Sequence, residues 1–125
     1  MLQAILDDME LQPPGPMYIV GDLNGDPSTF PTLQEAIDVH TLLDAGAHAE
    51  QWGGVNHDYT CRAYGTSAPT RRDYVFTTPS AFQLISASEV DRQAGLEVHD
   101  PYICLLYTSD AADEGLGVDL GGRRI

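Results

Sequence analysis

Residues 17–27 constrain this chain more than any other stretch. Pro13, Pro14, Gly15 and Pro16 break the backbone, and the apolar run Met17-Tyr18-Ile19-Val20 leads directly into Gly21-Asp22-Leu23-Asn24-Gly25-Asp26-Pro27. An apolar run opened by proline and closed by a Gly/Asp/Asn cluster reads as a buried β-strand delivering polar side chains at its end. Asp22 and Asn24 are two residues apart, so an extended backbone points both to one side. A carboxylate beside an amide can hold a water, orient a phosphate oxygen or serve a hard cation. An ordinary Asp/Asn-rich turn closing a strand has the same pattern, and residue types alone leave both readings open.

The flanking sequence predicts a layered α/β arrangement. Leu2, Ile5, Leu6 and Met9 form one apolar helical stripe. Residues 32–40 carry Leu33, Ala36, Ile37 and His40 at helical spacing, and Thr32 with Glu35 resembles a capping box. Between residues 46 and 69 the composition shifts to Gly, Ala, His and Tyr, which predicts loops around one short strand near 59–63. Strand-like stretches follow at 72–78, 82–90 and 99–106.

Charge limits the partners. The 125 residues carry 19 acids against six bases, all arginine, for a net −13. Neutralising a nucleic-acid backbone needs clustered Lys and Arg, so a large nucleic-acid footprint built by this chain alone is close to excluded. No apolar run approaches the ~20 residues of a membrane span. The start, MLQAILDDMEL, has neither a basic n-region nor a small-residue cleavage site. Cys61 and Cys104 make no disulfide or zinc framework.

Two further residues stand out. Asp73 lies in the apolar run Tyr74-Val75-Phe76, and a carboxylate there is costly unless it is paired. The alternative is an edge position facing water or a neighbouring Arg. His99 sits at the mouth of the last strand-like stretch, where a distant Asp could fix its tautomer and favour its charged form. His40, His48 and His57 read as structural or solvent-facing.

Taken in order, Gly21-Asp22-Leu23-Asn24, Arg71-Arg72-Asp73-Tyr74-Val75-Phe76 and His99-Asp100-Pro101 resemble the last three motifs of the endonuclease/exonuclease/phosphatase (DNase I-like) superfamily, over about residues 2–103. The resemblance implies the C-terminal half of a four-layer α/β/β/α sandwich and a metal-dependent phosphoesterase or nuclease. Asp22 would then be the general base for the attacking water, and Asn24 would position that water or a phosphate oxygen. His99 would stabilise charge developing on the phosphoryl group, with Asp73 orienting it. Mg²⁺ or Mn²⁺, held by Asp22 and Asn24, would neutralise the phosphate and leaving oxygen.

The pattern departs from the family's in two places. Val98 stands where the family usually has an Asp before the final His, with Glu97 and Asp100 close by. The family's early Asn and metal-binding Glu have no counterpart, so Met1 reads as an internal methionine or truncated start, and the chain as given is expected to be inactive or nearly so. A pseudoenzyme or binding module that lost the metal carboxylate at Val98 is one alternative; a small acidic interaction domain is another.

Residues 104–125 carry a different signal. Cys104 to Asp113 and the start of Glu114 match an in-frame translation of a transposase-type sequencing adapter, and the end of Gly117 through Ile125 matches the flow-cell sequence. The interval between them has the length of a library index. The chain therefore divides into a partial domain at 1–103 and a non-native tail at 104–125. Without the tail's four acids and two arginines the net charge is −11, so the acidity is genuine. It favours a small phosphoester or a phosphorylated lipid or sugar headgroup over nucleic acid as substrate.

Overall fold

The computed structural model describes residues 1–62 and 68–107. Helix α1 spans Leu2–Leu11, strand β1 Tyr18–Asp22 and helix α2 Pro31–Asp38. The two-residue strand β2 (Leu43–Asp44) runs into a 3-10 stretch, Ala45–Trp52. Strand β3 (Asp73–Thr77), the short helix α3 (Pro79–Phe82) and strands β4 (Ile85–Val90) and β5 (Tyr102–Leu106) complete the order. One antiparallel sheet has the order β1-β3-β2, and β4 pairs with β5 in a second. The chain is thus a mixed α and β fold.

Strand β3 organises the interior because both of its faces are covered. Tyr74 and Phe76 point to one side, where they stack on each other and join Leu33, Leu42 and the inner stripe Leu2, Leu6 and Met9 of α1. Val75 points to the other side and packs with Ala45, Ile85, Trp52, Phe82 and Tyr102. Alternation along one strand therefore gives a helix layer, a sheet and a second sheet. Full burial of Leu33 and Phe76 is worth about 1.5–3 kcal/mol each.

Several local expectations shift. Strand β1 is an edge strand rather than a central buried one, and Val20 is 68 % exposed. The capping box at Thr32 does not form. Pro31 occupies the first turn, which moves the N-cap back to Phe30 and puts Thr32 inside the helix. Near 59–63 the structure has no full strand among the described residues. Cys61 instead makes isolated bridges to Thr70 and His99. The stretch at 82–90 begins as strand only at Ile85, because Pro79 starts a helical turn.

Strand β5 continues through Cys104, Leu105 and Leu106, and its pairing with β4 is irregular between Ile85 and Ala87, opposite Leu106 and Leu105. Leu105 and Tyr107 are more than half exposed. The rest of the tail, from residue 108, lies outside the described residues.

Candidate functional site

Strands β1 and β3 are registered so that Asp22 lies directly opposite Asp73 at the end of the ladder. Adjacent antiparallel partners have Cβ atoms about 4.5–5.5 Å apart, so the register alone brings two carboxylates together. Leu23 N–H donates to the Arg72 carbonyl (2.7 Å) just past the last pair, which holds the strand ends closed.

The segment Thr60–Arg62 brings His99 to this corner. The Thr60 hydroxyl accepts from both Arg72 N–H and Asp73 N–H, each at 3.0 Å. Its carbonyl accepts from Asp100 N–H (2.8 Å), while Arg62 N–H donates to the Val98 carbonyl (2.8 Å). One short segment thus fixes the start of β3 on one side and residues 98–100 on the other. His99 Nδ1 is consequently 2.7 Å from Asp73 Oδ2, and its Nε2 is 3.7 Å from Asp22 Oδ2.

The charge pattern follows from those contacts. The bond to Asp73 raises the His99 pKa above its ordinary 6.5, and the Asp73 and Asp22 charges add to the effect. Partial burial and the Arg72 charge oppose it. Asp22 Oδ1 accepts from Asn24 N–H (2.7 Å), an Asx turn that holds Asn24 at φ 54°. The Asn24 amide oxygen accepts from Arg72 Nη1.

All four expected site residues, Asp22, Asn24, Asp73 and His99, therefore meet at one corner. Asp22, Asp73 and His99 each offer a ligand atom within 4.8 Å of the others. Two carboxylates suit a hard cation that keeps several waters, and an imidazole suits Mn²⁺ better than Mg²⁺. The trio lines an open depression of about 470 Å³ together with Gly21, Leu96 and Pro101.

Asp100 has a different role. Its side chain is 1 % exposed and bonded to both Arg62 (2.9 Å) and Arg92 (2.8 Å), which commits both carboxylate oxygens to guanidinium groups. Arg92 also reaches Asp58 (2.5 Å) and lies 3.5 Å over the Tyr59 ring. His40 and His57 sit at positive φ, and His48 packs edge-on against Phe82.

Sequence reasoning passed over Thr60 and Arg72. A loop threonine carries no periodic signal. Arg72 could have been singled out as a base beside the one strand acid of interest.

No protein family, curated protein or solved structure matches this chain. Among the described residues no helix is long and apolar enough to cross a membrane.

Proposed function

We propose that this corner belongs to the catalytic centre of a metal-dependent phosphoesterase, in which water attacks phosphorus in line. The observation that carries the reading is the chain of contacts Asp73–His99–Asp22, with an imidazole aligned by one carboxylate and facing another. Asp22 keeps Oδ2 available beside His99 to orient and deprotonate a water. His99, held with its proton by Asp73, donates to the phosphoryl oxygens as charge develops on them. Asp73 acts through His99 and is a positioning residue.

A hard divalent cation, Mg²⁺ or Mn²⁺, would be held by Asp22, with Asn24 as a ligand only if its amide oxygen exchanges Arg72 for the ion, and would neutralise phosphate and leaving-group charge when bound. The helix, sheet and second-sheet layering is compatible with part of a four-layer α/β/β/α sandwich. The buried, doubly paired state of Asp100 favours a second reading, a binding module with weakened metal affinity, since both Asp100 oxygens are already committed to guanidinium groups.

Mg²⁺ titration followed by amide NMR tests the reading. Shifts centred on residues 22–24, 73 and 99, abolished by Asp22→Asn, are expected. Millimolar Mg²⁺ that leaves those amides unmoved would count against it. Hydrolysis of bis-p-nitrophenyl phosphate by this chain should stay near background. Turnover lost in Asp22→Ala would overturn that expectation of inactivity and favour the enzyme over the binding module.

A further inference from the structure

Next to the trio lies a larger cleft, of about 630 Å³, between α2, the 3-10 stretch and the loop after β1. That volume falls in the range of small-ligand sites, roughly 300–1,000 Å³. Its walls combine aliphatic surface from Ile37 and Leu43 with three imidazoles, those of His40, His48 and His57. No three of the described His, Cys, Asp or Glu in it converge as a metal site, since the Asp22, Asp73 and His99 group is the one that does.

Arg72 joins the cleft to the trio. It lines the cleft, bonds the Asn24 amide and Thr70 Oγ1 (3.2 Å), and its charge is felt at His99. Among the described residues Arg62, Arg71 and Arg92 are each paired with a carboxylate, whereas Arg72 is paired with none. The neighbouring Arg71 is neutralised by Asp44, so Arg72 is the cation left to meet an anion arriving at this junction.

We propose that Arg72 grips a phosphate oxygen at the junction and that the cleft receives the organic group esterified to it, a compact and partly apolar alcohol such as an aryl or single-ring group. This rests on the phosphoesterase reading and adds a substrate class to it: a small phosphoester rather than a polymer. A half-open cleft with aliphatic surface from Ile37 and Leu43 beside imidazole hydrogen-bonding groups suits one ring. The net −11 of residues 1–103 disfavours a polyanion extending beyond that ring.

The test uses the whole chain in Mg²⁺ with two probes, inorganic phosphate and phenyl phosphate, followed by amide and imidazole NMR and by calorimetry. Inorganic phosphate should shift signals of Asp22, Asn24 and His99. Phenyl phosphate should in addition shift the imidazoles of His40, His48 and His57 and bind at least about tenfold tighter, as expected for burying one ring. Arg72→Gln should weaken both probes by about tenfold or more, the loss of a charge-assisted hydrogen bond. Gln34→Trp, a helix-surface change at the cleft mouth that is safer for folding than an interior one, should cut the phenyl phosphate advantage below about twofold.

Phenyl phosphate that binds no tighter than inorganic phosphate, or that leaves the three imidazoles unmoved, overturns the cleft assignment while the phosphate site stands. Failure of inorganic phosphate to shift Asp22, Asn24 and His99 overturns the phosphoesterase reading, and the cleft assignment falls with it. An advantage retained in Gln34→Trp also overturns the cleft assignment.

Discussion

Four aspartates of this molecule form two groups with opposite surroundings. Asp44 and Asp100 are buried and answered by guanidinium groups. Asp44 takes both terminal nitrogens of Arg71, and Asp100 bridges Arg62 and Arg92. Asp22 and Asp73, paired across the ends of β1 and β3, are partly exposed and share a single imidazole. An arginine is a permanent counter-charge, so the first group is electrically closed and its work is architectural. An imidazole gains and loses its proton near neutral pH, so the second group is closed only part of the time. Of these four, the two that lack a permanent counter-charge are the ones proposed above for chemistry.

Local geometry supports the division. Arg71 lies 4.2 Å over the Tyr74 ring, and a Cβ at Gly46 would run into its guanidinium, so a larger residue there would have to displace Arg71 from the Asp44 pair. At Gly54 a Cβ would lie 2.5 Å from the Ser88 carbonyl, which brings the 3-10 stretch close against β4. The trio has no comparable packing and opens onto solvent.

The sharpest way to break the comparison is to delete one acid from each group. Asp44→Ala leaves the Arg71 side chain, 11 % exposed, without its counter-charge and should cost about 3–5 kcal/mol in urea unfolding. Asp22→Ala removes a half-exposed carboxylate that faces another across the ladder, and should change stability by no more than about 0.5 kcal/mol in either direction. Equal losses for the two variants would erase the distinction between architectural and chemical acids.

A smaller effect is expected from Asp73→Asn, read at His99 by NMR titration. The carboxylate bonded to Nδ1 is the main cause of the raised His99 pKa, so the asparagine should let it fall back toward the ordinary 6.5. The sign of the stability change follows. A folded-state pKa above the unfolded value means that the wild type's advantage is fully present below pH 6.5 and is lost as pH rises through the folded-state pKa. An Asp73→Asn penalty that grew with pH instead would show that Asp73 stabilises through something other than the protonated imidazole.

How much of this was legible in the sequence depends on the range over which each signal acts. Helix α1 and strands β1 and β3 were visible because periodicity and proline placement are local. Asp73 was visible because an acid in an apolar run demands a partner. From the residues alone, the identity of that partner was not, since His99 arrives through Thr60, whose hydroxyl and carbonyl tie two distant segments together. The resemblance to the DNase I-like motifs implies that partner, but no local signal in the residues does. Strand β2 is two residues long and carries no period to read, and Pro31 displaced the cap that Thr32 and Glu35 suggested. The cleft joined by Arg72 is assembled from four separate segments and has no sequence signature.

The gentlest test concerns a polar group that belongs to neither set. Thr77 lies in the middle strand of its sheet, paired to Tyr18 on one side and Leu43 on the other, and is fully buried. Among the described residues its Oγ1 is the buried side-chain oxygen or nitrogen that lacks a hydrogen-bond partner. Where Asp44 and Asp100 are buried with compensation, Thr77 is buried without it, and desolvating an unpaired hydroxyl costs about 1–3 kcal/mol. Thr77→Val keeps the branched shape that a strand favours and replaces the hydroxyl with a methyl. The variant should be as stable as the wild type or more stable, by up to about 1 kcal/mol, with the Asp22 and His99 amide signals unmoved. A loss of that size would mean that the hydroxyl has a partner in solution and that, among the described residues, buried polar side chains are compensated throughout.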